Sequence, residues 1–373
     1  MPFCFSPWTN LDISPRGVMS PCCKFQNRLY GPAPNISHHS LADYVANPTL
    51  AQVKQEFQQG QWPRGCERCQ IEEQNGIKSK RLLDQERWDE HYRDLDLKNG
   101  NFITASVAFG NTCNLTCITC GPNSSSRWQA EHRHLWDQDI PPNHFYKEDF
   151  VDDFVNFVPG LVHLDIPGGE PFLSGTQQQL DLLKRYQARA NQIALHYTTN
   201  ATVWPSDQWW TTWQEFQEID IQISLDAVGD RFEYIRYPAD WQQVIHNIDR
   251  YLEYQARLPN LRLSVSTTVS AYNVAYLDEI LDWCQQRGLP CPWLGRVHNP
   301  VYMRPTVWPR HVREFIADKL SQCGHLNLLS WQNMLKSLDD SEHYELFRVM
   351  TQRHDQYRKT NFTQVFPEIA QFI

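Results

Sequence analysis

The 373 residues contain no apolar run long enough to cross a bilayer as a helix, which takes about 20 residues, and no membrane partner is expected. The opening residues, 1–8, lack the basic head and apolar stretch of a signal peptide, so the expected location is cytoplasmic. No excess of positive charge is present either. A formal net charge of −9 argues against a nucleic-acid backbone as the main partner. No segment reads as a separate domain for holding a leader peptide. What the chain does carry is cysteine. Eleven of them, in a chain expected to work under reducing conditions, point to metal or redox chemistry and away from a disulfide framework. The length allows a sizeable core and two domains.

Three of the cysteines, Cys113, Cys117 and Cys120, form a C-x3-C-x2-C array directly after a strand-like apolar run. Thiolates this close can each cap one iron of a [4Fe–4S] cluster. No fourth cysteine lies nearby, so one iron is left open to a ligand. Cysteines at this spacing would also share one face of a helix. The intervening Asn111, Thr112, Asn114, Thr116 and Thr119 are poor helix formers and favour a loop.

A second set is split along the first hundred residues. Residues 8–13 read as a strand, 14–17 as a turn and 18–22 as a return strand. Cys4 precedes this hairpin, Cys22 ends it, and Cys66 and Cys69 form a later C-x2-C pair. Four thiolates in this arrangement suit a zinc ribbon and an iron–sulfur cluster equally well. Cys23, Cys284, Cys291 and Cys323 have no motif and read as packing thiols. Residues 81–93 are charged and helix-forming.

From residue 100 strand-like and helix-like segments alternate. The expected strands are 102–110, 161–167, 193–200, 219–226, 262–269 and 292–298, spaced as βα units of a parallel sheet. Several are polar on alternate positions: His163 and Asp165; His196, Thr198 and Asn200; Asp220, Gln222, Ser224 and Asp226; Ser264, Ser266 and Thr268. Helices must cover the apolar face, so the polar face is expected to line an interior that holds a polar ligand. Motifs fall at strand ends. Gly168 and Gly169 allow a close backbone approach, Glu170 can accept from an ammonium, and Arg236 can pair with a carboxylate. Asn200 ends a strand and is a further candidate. Trp209, Trp210 and Trp213 are expected to pack a helix that starts after Ser206.

The array at Cys113 resembles the signature of the radical S-adenosylmethionine (AdoMet) enzymes. With the upstream cysteines, Trp8, Gly17 and the late Phe366-Pro-Glu, the chain is similar to members that carry a twitch domain, a shortened relative of the SPASM auxiliary-cluster domain. One departure is Thr119, where the family usually has a large or aromatic residue near the adenine. The resemblance implies an α/β fold: a partial (β/α)6 TIM-like barrel over residues 100–304. It is preceded by an N-terminal auxiliary-cluster domain and charged linker over 1–99 and followed by a helical segment over 305–373. It implies two [4Fe–4S] clusters, the first on Cys113, Cys117 and Cys120 and the second on Cys4, Cys22, Cys66 and Cys69, with AdoMet as the other cofactor. Gly168, Gly169 and Glu170 match the motif that contacts the AdoMet amino group, and Ser224 and Asp226 the ribose position. Arg236 would take the AdoMet carboxylate, and Val269 would flank the adenine. The implied activity is reductive cleavage of AdoMet and hydrogen abstraction from a substrate, first a peptide or protein side chain, alternatively a nucleoside or small metabolite. Electrons would come from a donor such as flavodoxin or ferredoxin, and the second cluster would transfer one. A different class remains open: a zinc-binding interaction protein on an α/β scaffold.

Overall fold

A computed structural model describes residues 2–74, 76, 78–93, 101–140 and 149–373. The expected boundary at 99/100 lies outside the described residues. Eight strands form one open sheet: β1 (Asn10–Ile13), β2 (Met19–Ser20), β3 (Thr104–Val107), β4 (His163–Ile166), β5 (Ala194–Thr199), β6 (Glu218–Ser224), β7 (Leu261–Val269) and β8 (Trp293–Arg296). Their order is β2-β1-β3-β4-β5-β6-β7-β8, so β2 and β8 are its edges and the sheet is not closed. The six strands expected in the βα region are all present, shortened by a residue or more at most ends.

The N-terminal hairpin differs from expectation at both arms. Ser6–Thr9, Trp8 included, is a turn of helix, because Pro7 sits in its first turn, where a missing N–H costs nothing. The return arm is only two residues long, since Pro21 cannot donate to a ladder. Gly17 supplies the turn between them at φ +78°. The hairpin is also part of the main sheet. β1 pairs antiparallel with β2 and parallel with β3, in the register Asn10↔Thr104 to Ile13↔Val107.

Alternation in the strands follows the sequence. In β6, Ile219, Ile221 and Ile223 are fully buried, while Asp220, Gln222 and Ser224 are half-buried. The same two-residue period runs through β7. Helix Trp241–Arg257 starts at Asp240, whose side chain accepts from the Gln243 amide, and it buries Val244, Ile248 and Tyr251. Each such side chain contributes roughly 1.5–3 kcal/mol of burial.

The chain divides into two compact units, residues 1–112, 142–197 and 205–219, and residues 113–141, 198–204 and 220–373. In the first, Trp8, Phe25, Val53 and Phe57 form a small core against which Cys4, Cys22 and Cys66 pack. A second aromatic group there joins Phe172 and Tyr197 to Trp209 and Trp213, which therefore pack as expected. In the second unit, Tyr272, Phe347, Phe362 and Phe366 knit helix Tyr344–Arg358 to the chain end. Among the described residues no helix is long and apolar enough to cross a membrane.

Candidate functional site

The stretch carrying Cys113, Cys117 and Cys120 is a loop, as its Asn and Thr content implies. Buried backbone outside a helix or sheet must find partners elsewhere. Here several segments of the second unit supply them. The Leu115 carbonyl accepts from Ser125 Oγ at 2.6 Å, and that of Cys117 from Trp128 Nε1 at 3.0 Å. The Thr116 and Ile118 amides donate to the carbonyls of Tyr237 and Ile235 at 2.6 and 2.7 Å. The Thr116 carbonyl accepts from Arg358 Nη2 at 2.6 Å. Leu115 and Ile118 are buried and anchor the loop, while all three cysteines stay half-buried.

Two nitrogen donors approach the thiols. Asn200 Nδ2 lies 3.8 Å from Cys113 Sγ and 3.0 Å from Asn114 Oδ1. Asn114 is held in turn, donating to Thr202 Oγ1 at 2.8 Å. Arg236 Nη1 lies 3.9 Å from Cys117 Sγ, and its Nη2 forms an ion pair with Asp226 at 2.8 Å. Asp226 is fully buried, and its other oxygen accepts from the Thr268 amide at 2.7 Å. Burial raises the Asp226 carboxyl, and the Arg236 guanidinium works against that rise. Asp226 was expected at a ribose and Arg236 at a carboxylate. In the structure one Asp226 oxygen accepts from the Thr268 amide, the other pairs with Arg236 but makes no hydrogen bond, and the pair places a cation near a cysteine sulfur. Burial pushes the Cys117 thiol up to about 12 and the Cys120 thiol to about 11, with Arg236 pulling both down. Ser224 ends β6 half-buried, and Val269 ends β7 fully buried.

Gly168, Gly169 and Glu170 belong to the first unit. A Cβ on Gly168 would lie 2.7 Å from the Gly110 carbonyl oxygen, and one on Gly169 only 2.2 Å from that of Thr112. These glycines let backbone approach backbone, where the sequence suggested approach to a ligand. Glu170 is fully buried, and its amide donates to the Thr112 carbonyl at 2.8 Å.

Also in the first unit, Cys4, Cys22, Cys66 and Cys69 line one pocket together with Lys24, Lys80, Arg81 and Asp84. Burial raises all four thiols. Lys80 pairs with Asp84 at 2.6 Å, and Arg81 with Glu73 at 2.5 Å. Sequence reasoning missed the cations of this pocket. It also missed Asn114, Trp128 and Arg358 around the other loop, none of which belongs to a motif.

Residues 4–70 match the family model of SPASM, an iron–sulfur cluster-binding domain. That stretch contains Cys4, Cys22, Cys66 and Cys69, with Cys23 as a fifth. No curated protein matches the chain. Among solved structures, the chain is similar to native anSMEcpe with bound AdoMet, at 14% identity and a TM-score of 0.43 over 61% of this chain and 62% of that one. It is similar to Streptococcus suis SuiB bound to S-adenosylmethionine at 13% identity and a TM-score of 0.36, over 75% and 60% of the two chains. For TYW1 with a lysine–pyruvate adduct the values are 14% and 0.35, over 63% and 73%. The chain thus spans less than two thirds of the first two.

Proposed function

We propose that the protein is a radical AdoMet enzyme with an auxiliary iron–sulfur cluster. The observation that carries this reading is the Cys113 loop: three thiols, no fourth, with Asn200 and Arg236 donors directed at two of the sulfurs. When bound, a [4Fe–4S] cluster there supplies the electron that splits AdoMet into methionine and a hydrogen-abstracting adenosyl radical, and the N-terminal cluster supplies a second electron-transfer centre.

The chain's own residues prepare for these groups. N–H donors on cysteine sulfur, from Asn200 and Arg236, stabilise added negative charge. The donor set fits iron–sulfur chemistry, since soft thiolates each cap one iron. At the N-terminus four thiols line one pocket, and the SPASM match over residues 4–70 favours an iron–sulfur cluster there over one zinc ion. Glu170 and Ser224 keep their assignment to AdoMet, while Gly168 and Gly169 make the close backbone contacts with residues 108–112 that hold the turn. Asp226 acts through Arg236. The half-buried polar positions of β6 and β7 favour a polar substrate, a peptide or protein side chain being the first class.

Metal analysis of anaerobically reconstituted protein tests this reading. Two clusters give about eight irons per chain with matching sulfide. About four irons with one tightly held zinc would reverse the N-terminal assignment. Zinc without iron or sulfide would replace the enzyme with an interaction protein.

A further inference from the structure

The last segment, 305–373, offers no chemical motif, yet it sends one charged side chain into the cysteine loop. Arg358 ends helix Tyr344–Arg358 and lies 242 residues from Thr116, whose carbonyl accepts from its Nη2 at 2.6 Å. Its Nε donates to Glu131 Oε1 at 2.8 Å. His354, one turn earlier, places Nδ1 2.7 Å from the same oxygen. The carboxylate dictates the Nδ1–H tautomer, and burial holds the imidazole below its usual range, hence neutral. Glu131 lies on helix Trp128–Trp136, whose Trp128 donates to the Cys117 carbonyl. The guanidinium also sits over the rings of Trp128 and Tyr237, 5.5 and 5.2 Å from their centres.

The Arg358 and Glu131 side chains are each only 1% exposed. A buried ion pair is a poor way to gain stability, because desolvation offsets the attraction, and apolar residues of like volume serve as well or better. What such a pair offers is direction. Thr116 lies between Cys113 and Cys117, and both its backbone groups are held from outside the loop, the amide by Tyr237 and the carbonyl by Arg358. The planar fork of Arg358 makes the second contact and the contact to Glu131 with one rigid group, which a lysine cannot do.

We propose, on the strength of the cluster assignment above, that Arg358 and Glu131 are positioning residues for the radical cluster. They fix the Thr116 peptide and with it the spacing of Cys113 and Cys117, which keeps three irons capped and the fourth available to AdoMet. Helix Tyr344–Arg358 thereby belongs to the cysteine loop's support without supplying a thiol.

The test uses reconstituted full-length protein and two variants, Arg358→Lys and the paired Arg358→Met/Glu131→Gln, which removes both charges and keeps an amide oxygen to accept from His354 Nδ1. Iron per chain, thermal unfolding, and the electron paramagnetic resonance of the reduced protein before and after AdoMet are measured. Both variants are expected to unfold cooperatively and to keep the N-terminal iron, while the AdoMet-responsive signal falls at least about fivefold. The paired variant should melt no lower than Arg358→Lys. Either variant keeping the full AdoMet-responsive signal would reduce Arg358 to a stabilising role and overturn the proposal alone. Wild-type protein with iron only at the N-terminal cysteines would overturn the cluster assignment itself, and this proposal with it.

Discussion

Replacing Gly169 by alanine isolates the packing of the Gly-Gly-Glu turn. Gly169 has φ +55°, so any L-residue there bears the left-handed cost of about 1–2 kcal/mol. Gly229 has almost the same angle, +59°, but a Cβ there meets nothing within 4 Å. Gly229→Ala therefore bears that cost alone, offset by roughly 0.4–1 kcal/mol of lost unfolded-state freedom. At Gly169 the new methyl would lie 2.2 Å from the Thr112 oxygen, 2.7 Å from the Asn111 carbonyl carbon and 2.8 Å from that of Thr112. These are backbone atoms and cannot rotate aside. Overpacking of this kind adds about 1–3 kcal/mol. Gly169→Ala should therefore be less stable than Gly229→Ala by about 2 kcal/mol, read as a lower urea midpoint. Equal midpoints would refute the assignment of these glycines to backbone contact.

Asp12 is buried beside Asp165, and burial raises its carboxyl from 3.8 to about 6. The folded state thus holds this proton more tightly than the unfolded chain, so the penalty is absent below pH 3.8 and complete above about pH 6. Asp12→Asn, which keeps an acceptor for Ser20 Oγ, should stabilise the protein at pH 8 by up to about 3 kcal/mol and change little at pH 3.5. A less stable variant at pH 8 in urea titrations would contradict this. Cys66→Ser/Cys69→Ser should halve the iron to about four per chain and leave the AdoMet-responsive cluster. Loss of all iron would show that the two sets are not independent.

The features legible in the sequence are local ones. The C-x3-C-x2-C spacing, the two-residue period of β6 and β7, and the tryptophans after Ser206 each follow from a few adjacent residues, and the structure keeps those patterns. The hairpin was misread where proline intervened, at Pro7 and Pro21, because period alone does not register a missing donor. Partnerships across the chain were out of reach. Nothing near Asp226 announces that Arg236 will engage it, and nothing in helix Tyr344–Arg358 announces that Arg358 will hold Thr116 from 242 residues away. The glycines of 168–169 were identified by motif, but their reason, contact with residues 110–112, depends on how two separate turns meet.

The central claim is that Cys113, Cys117 and Cys120 hold a cluster whose open iron engages AdoMet. Anaerobically reconstituted protein, given AdoMet and a strong reductant, should yield methionine and 5′-deoxyadenosine together, quantified by chromatography. The Cys113→Ala/Cys117→Ala/Cys120→Ala variant should yield neither while retaining about four irons. Cleavage that survives in that variant, or wild-type protein that carries the cluster and leaves AdoMet intact, would contradict the account.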